Sequence, residues 1–219
     1  MRDSSFGSLT HFRADQAPQG APDRCLDGCP PAEDCLYYAP NIYLTDDTEW
    51  PTSAISDDPS LEARREALKT GPYGRCVYHC DNDVVDHQVV NLQFANDVTA
   101  AFTMSAFTRD VSRTIKLMGT KGEIRGAMEK NEIEVLRFGS GQSRRIALDI
   151  PGGHVGHGGG DNRLMADFLK LVREGGGREG LTSANRSVQS HLIAFAAEQS
   201  RIAGEVVEMA RFRGGLAVL

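Results

Sequence analysis

"HQVVNLQFANDVTAAFTMSAF", His87 to Phe107, is the stretch that sets the character of the fold. In HQVVNLQF apolar and polar residues alternate, so a strand would carry Val90, Leu92 and Phe94 on one face and Asn91 and Gln93 on the other. Asn96-Asp97 is a tight-turn pair, and VTAAFTMSAF returns as the partner strand. There Val98, Ala100, Phe102, Met104 and Ala106 share one face, while Thr99, Ala101, Thr103 and Ser105 share the other. This pattern predicts an antiparallel hairpin.

The same period extends outward. RTIKLMGTKGEIRG reads as strand, turn and strand, with Gly119 and Gly122 bracketing the turn, and NEIEVLRF and SRRIALDI continue the meander. Residues 4–12, SSFGSLTHF, read as a further short strand. Helical spacing takes over after Asp161, where Leu164, Met165, Phe168, Leu169, Leu171 and Val172 fall on one face, ending at Gly175–Gly177. A longer helix is expected over 182–204, capped by Thr182 or Ser183 and stopped by Gly204. Residues 59–69 have helix composition, and 32–38 are a short helix candidate. The expectation is an α+β fold: an open, mostly antiparallel sheet of about six strands with helices on one face. We expect one domain over 1–219, interrupted by an irregular insertion at 13–60 that holds most of the prolines, three of the five cysteines and Trp50.

Of the 219 residues 40% are hydrophobic and 25% charged, a globular composition. A formal net charge of −6 and the lack of any Lys/Arg run argue against a nucleic-acid partner. No apolar run reaches the length of about 20 residues that a membrane helix needs, and the first residues lack a signal-peptide core. A cytoplasmic protein with no membrane partner is therefore expected.

GGHVGHGGGDNRLMADF, Gly152 to Phe168, invites a nucleotide-loop reading but lacks it. A dinucleotide fingerprint needs glycines at i, i+2 and i+5; from Gly156 the third position is Asp161, and no Gly-Lys-Ser/Thr ending follows. Asp161 instead suits a helix N-cap, and Gly158, Gly159 and Gly160 would expose amides beside the positive end of that helix. With His154 and His157 as side-chain donors, this loop is the candidate substrate-binding site.

Cys25, Cys29 and Cys35 lie in the proline-rich segment, and Cys76 and Cys80 flank the start of the sheet. Such a cluster suggests a structural zinc site that would pin the irregular segment. The expected ligand set is Cys25, Cys29, Cys35 and Cys80, with Cys76 the alternative fourth; free thiols are the bland reading. HCDNDVVDH groups His79, Asp81, Asp83, Asp86 and His87, a composition also found in hydrolytic metal sites. On an extended strand, however, Asp86 and His87 would point to opposite faces, which favours a structural role. The face bearing Thr99, Ala101, Thr103, Ser105, Asn91 and Gln93 is too polar for a core and too uncharged for an ordinary solvent face. It suits sheet-to-sheet association or contact with a sugar.

GSLTHF, RCLDGCPPAEDC followed by YYAP, YGRCVYHCDNDVVDHQVV, MGTKGEI and GHGGGD, in this order and spacing, resemble the carboxy-terminal domain of Gfo/Idh/MocA-type oxidoreductases, from about Phe6 to Met209. The resemblance implies NAD or NADP chemistry on a sugar or polyol in a complete enzyme. It also implies association into homo-oligomers through the sheet. That family's amino-terminal Rossmann domain, Glu-Lys-Pro motif and catalytic Asp/His helix have no counterpart here; Glu129-Lys130 is followed by Asn131. The chain is thus expected to be a substrate-side and oligomerisation domain that neither binds the dinucleotide nor turns over alone, and it offers no catalytic or cofactor-binding residue. A non-catalytic dimerisation or binding module and a small metal-dependent hydrolase are the alternatives.

Overall fold

The computed structural model describes residues 1–109, 112–148, 156–176, 179–180 and 182–216. In chain order the elements are β1 (Arg2–Ser8), α1 (Ala39–Tyr43), α2 (Leu61–Thr70), β2 (His87–Gln93), β3 (Thr99–Ser105), β4 (Thr114–Gly119), β5 (Gly122–Ala127), β6 (Glu132–Arg137), β7 (Ser143–Ala147), α3 (Gly156–Arg173), α4 (Ala184–Ala203), β8 (Val207–Glu208) and α5 (Met209–Leu216). Helices and antiparallel sheets together make this an α+β protein. Two compact units are formed, Met1–Phe107 with Ala197–Leu219, and Thr108–Ala196. Among the described residues no helix is long and apolar enough to cross a membrane.

The strands form two sheets of four rather than one of about six. In the first unit the order is β3-β2-β1-β8, all antiparallel. The hairpin of β2 and β3 forms as its sequence predicts: Gln93 pairs with Thr99, and Asp97 turns the chain with φ of 62°. The single-sheet expectation fails because hairpin pairing is announced by the turn between two strands, whereas the neighbours of β1 lie far away in sequence. Phe6 pairs with Val89, and Asp3 with both Leu92 and Val207. Strand β1 also stops at Ser8 instead of running to 12, for a reason given below.

One face of this sheet carries Asp3, Ser5 and Val90, all buried, and meets the end of α4, where the Ser200 hydroxyl accepts from the Ser5 amide at 3.0 Å. Asp3 is fully buried and neither carboxylate oxygen has a hydrogen-bond partner among the described residues. On the other face Phe6, in an interior strand, stays 69% exposed. Around it stand Val89, Asn91, Ala101 and Thr103, also exposed.

The irregular segment is held by side chains instead of a ladder. The expected helix at 32–38 is replaced by turns, with Cys35 N bonded to Pro31 O and Tyr38 N to Cys35 O; the helical residues come just after, in α1. Helix α2 starts at Ser60, whose hydroxyl accepts from the Ala63 amide. Arg64, buried on α2, donates to the carbonyls of Tyr43 (2.8 Å), Thr45 (3.0 Å) and Asp47 (3.3 Å). Arg24 caps the other end of α2 through the carbonyls of Leu68 and Gly71. Between them Cys25, Ala39 and Leu68 form a small core, covered by Leu26, Tyr38, Tyr43, Leu44 and Ile55.

The second unit contains the meander β4-β5-β6-β7, in which Gly119 pairs with Gly122 around the expected turn. Cross-strand charges reinforce it: Lys116 with Glu123 at 3.3 Å and Arg125 with Glu134 at 3.6 Å. Helix α3 ends in two glycines of positive φ, Gly175 and Gly176, as expected for a C-cap. The Ser183 hydroxyl caps α4 by accepting from the Arg186 amide.

Burial without a partner pushes the Asp3 carboxyl up to about 6 from 3.8. In the unfolded chain it ionises near 3.8, so the folded state binds the extra proton between these values. Stability should therefore fall as pH rises from about 4 to above 6, by roughly 3 kcal/mol in all. Denaturant midpoints measured across that range should show this slope in the native protein and lose most of it in Asp3→Asn; an unchanged slope would remove the assignment.

Candidate functional site

The candidate site of the first unit begins where β1 leaves its sheet. The buried carboxylate of Asp86 accepts from the amides of Thr10 (2.8 Å) and His11 (2.7 Å), the Thr10 hydroxyl (3.2 Å) and His87 Nδ1 (2.8 Å). The Asp86 amide donates to Ser8 O and its carbonyl accepts from Ala106 N. The ends of β1, β2 and β3 are thus tied at one residue, and the amides of Thr10 and His11 are turned out of the ladder. Burial alone would push the Asp86 carboxyl up. The His11 amide, the His87 ring and the Thr10 amide and hydroxyl outweigh it and hold the group well below the usual carboxylate range.

Fixing the His11 backbone fixes its ring. His11 is packed among Phe12, Tyr37, Tyr78 and Phe107 with ring centroids 5.1 to 5.7 Å away, and its Nε2 lies 3.1 Å from the Tyr78 hydroxyl. The rings of His11, Tyr37, Tyr78 and Phe107 wall an open cleft of about 610 Å³, whose other polar lining includes Thr10, Gln16 and Asp34. Aromatic faces with a few directed hydrogen-bonding groups suit a small polar ligand that also has apolar C–H faces. Sequence reading passed over this cleft. Its signal was present as aromatic residues at Phe12, Tyr37, Tyr78 and Phe107, but their convergence depends on contacts between distant segments.

Ser8, His87 and Asp86 are connected in the order of a hydrolytic triad, with Ser8 Oγ 3.5 Å from His87 Nε2. The adjacent amides of Thr10 and His11 are already committed to Asp86 and are not free to stabilise an oxyanion. Asp86 and His87, expected on opposite faces, are instead hydrogen-bonded to each other because Asp86 precedes the strand proper. The other members of that cluster disperse: His79 bonds Asp23 and Asp81 bonds Arg75. Asp83 is exposed. Among the described residues no three His, Cys, Asp or Glu side chains already stand close enough together to hold a metal ion.

From Gly156 onward the glycine stretch is helical rather than the loop expected. Helix α3 begins at Gly156, so Gly158, Gly159 and Asp161 lie within it and Asp161 is not its N-cap. The helix is irregular at Gly159, where φ is 80°. The backbone of His157 is in the same turn, and His154 lies outside the described residues. Helix α3 belongs to the second unit and the aromatic cleft to the first.

The five cysteines are free thiols. Cys25, Cys29, Cys35 and Cys76 line one small cavity, while Cys80 turns away from it and donates its thiol to the Cys76 carbonyl. Cys76, and not Cys80 of the expected ligand set, is thus the fourth cysteine lining this cavity. No protein-family model and no curated protein matches this sequence.

Asp86→Ala should remove the acceptor of two backbone amides and lower stability by about 2–4 kcal/mol, read as a shift in denaturant midpoint. The folded-state carboxyl is depressed, so its contribution is present at neutral pH and is lost as pH falls through its low folded value. The mutant should accordingly converge on the native protein only in strong acid.

Proposed function

We propose that this chain is the substrate-side and oligomerisation part of an NAD(P)-dependent oxidoreductase acting on a sugar or polyol, as its resemblance to Gfo/Idh/MocA-type enzymes implies. The observation that carries the reading is the aromatic-walled cleft of His11, Tyr37, Tyr78 and Phe107, with Thr10 and Gln16 as hydrogen-bonding groups. A sugar presents C–H faces to aromatic rings and hydroxyls to polar edges, which matches this lining. In the reaction the nicotinamide would supply the hydride chemistry, and the chain would orient the substrate carbinol. A substrate role for His157, Gly158, Gly159 and Asp161, which lie on α3 of the second unit, and for His154 is a separate part of this proposal that does not involve the cleft.

The exposed face of the β3-β2-β1-β8 sheet supports the second half of the reading. It places Phe6, Val89 and small or hydroxylated residues in one layer, with the Arg2–Glu208 ion pair at one end, and a second copy of the same face could pack on it at the spacing of about 10 Å usual between sheets. Sedimentation should show a dimer or larger assembly, dissociated by Phe6→Glu; a monomer at high concentration would remove the interface.

Titration of a panel of monosaccharides and polyols, followed by NMR or calorimetry, should find saturable binding that Tyr37→Ala weakens at least tenfold. No binding across the panel would sink the substrate assignment. The same chain should show no saturable binding of NAD⁺ or NADP⁺ below millimolar concentration, whereas micromolar binding would contradict the division of roles proposed here.

A further inference from the structure

We propose that Cys25, Cys29, Cys35 and Cys76 bind a single zinc ion as a structural tetrathiolate site, and that this ion holds the wall of the adjacent aromatic cleft. The four residues come from two segments that the backbone already joins: Cys25 N donates to Gly74 O at 3.0 Å and Cys76 N to Asp23 O at 2.8 Å. Gly74 permits this approach, since a Cβ there would fall 1.7 Å from the Leu68 carbonyl oxygen. Cys25 and Cys76 are buried on that junction, while Cys29 and Cys35 are half-buried on the turns opposite.

The cavity they line measures about 10 Å³, space for about one water-sized sphere, and its other walls are prolines, Val77 and tyrosine rings. A water there would find few polar partners. An ion would find four soft donors, the set that selects zinc in a closed tetrahedral site. The space is too small for an iron–sulfur cluster. The thiols surround the cavity without closing on it; zinc binding would draw them in to the roughly 2.3 Å of a zinc–sulfur bond. Binding of a dication would release the thiol protons to solvent.

Two ligands stand two residues from the cleft wall, Cys35 from Tyr37 and Cys76 from Tyr78. Cys35 and both tyrosines line the metal cavity and the cleft alike. The loop bearing them has little regular structure, so a cross-link at this point would fix the tyrosine rings where turns alone leave them weakly restrained.

The test is cobalt substitution of the full chain, prepared under reducing conditions, with zinc content of the purified protein measured alongside. The expected result is a single metal per chain and the intense visible and near-ultraviolet bands of tetrahedral cobalt thiolate. Those bands should survive Cys80→Ser and be lost in Cys76→Ser. Since replacing buried Cys76 could prevent folding, Cys29→Ser and Cys35→Ser, at half-buried positions, should lose the bands too. Chelation should also change the near-ultraviolet circular dichroism of the tyrosines. That readout does not depend on sugar binding, so failure here and failure of the substrate assignment are distinguishable. Loss of the bands in Cys80→Ser with retention in the other variants would overturn the proposal. So would disulfides among the four cysteines in metal-free native protein, or iron with inorganic sulfide in place of zinc.

Discussion

The carboxylate of Asp86 is the constraint on which the first unit depends. Strand β1 has the sequence to continue past Ser8, yet the amides of Thr10 and His11 point at Asp86 rather than across the sheet. An ionised buried carboxylate with four donors is satisfied only if the chain bends there, and amides given to a charge are held more strongly than amides given to a carbonyl. The bend delivers His11 into a nest of rings. The strand ends, the turn and the position of the cleft thus follow from one side chain, and the histidine beside it is oriented by the same group.

The segment between β1 and β2 solves a different problem. Its own core, around Cys25, Ala39 and Leu68, is small, so polar groups also fix its path. Arg64 is 3% exposed and meets three main-chain carbonyls. Arg24 completes the C-terminal end of α2. A guanidinium presents several donors in a rigid plane and cannot lose its proton, so it gathers carbonyls from a loop that would otherwise leave them facing an apolar interior.

Local features were legible in the sequence. The β2–β3 hairpin, the Gly119–Gly122 turn and the cap at Ser183 are each set by residues a few positions apart. Non-local ones were not: the place of β1 between β2 and β8, the division into two sheets, and the gathering of His11, Tyr37, Tyr78 and Phe107. Asp86 was read as a strand residue because alternation carries no information on hydrogen bonding to a distant turn. Cys76 and Cys80 could not be distinguished by spacing. What separates them is the turn after Cys76, which leaves one thiol facing the cavity and the other bonded to a backbone carbonyl. Asp161 was placed at a cap because glycines usually precede helices, whereas here they lie inside one.

The position of β1 in its sheet has a consequence for the order in which the molecule is made. Its neighbours on the two sides, β2 and β8, are translated after it, β8 only after the whole of the β4–β7 meander. At the ribosome the meander, built from adjacent strands, can close as it emerges. The first sheet must wait for Val207, and until then the Asp3 edge of β1 is an open strand edge. Anything that pairs with that edge of β1 during synthesis would therefore be displaced once β8 forms.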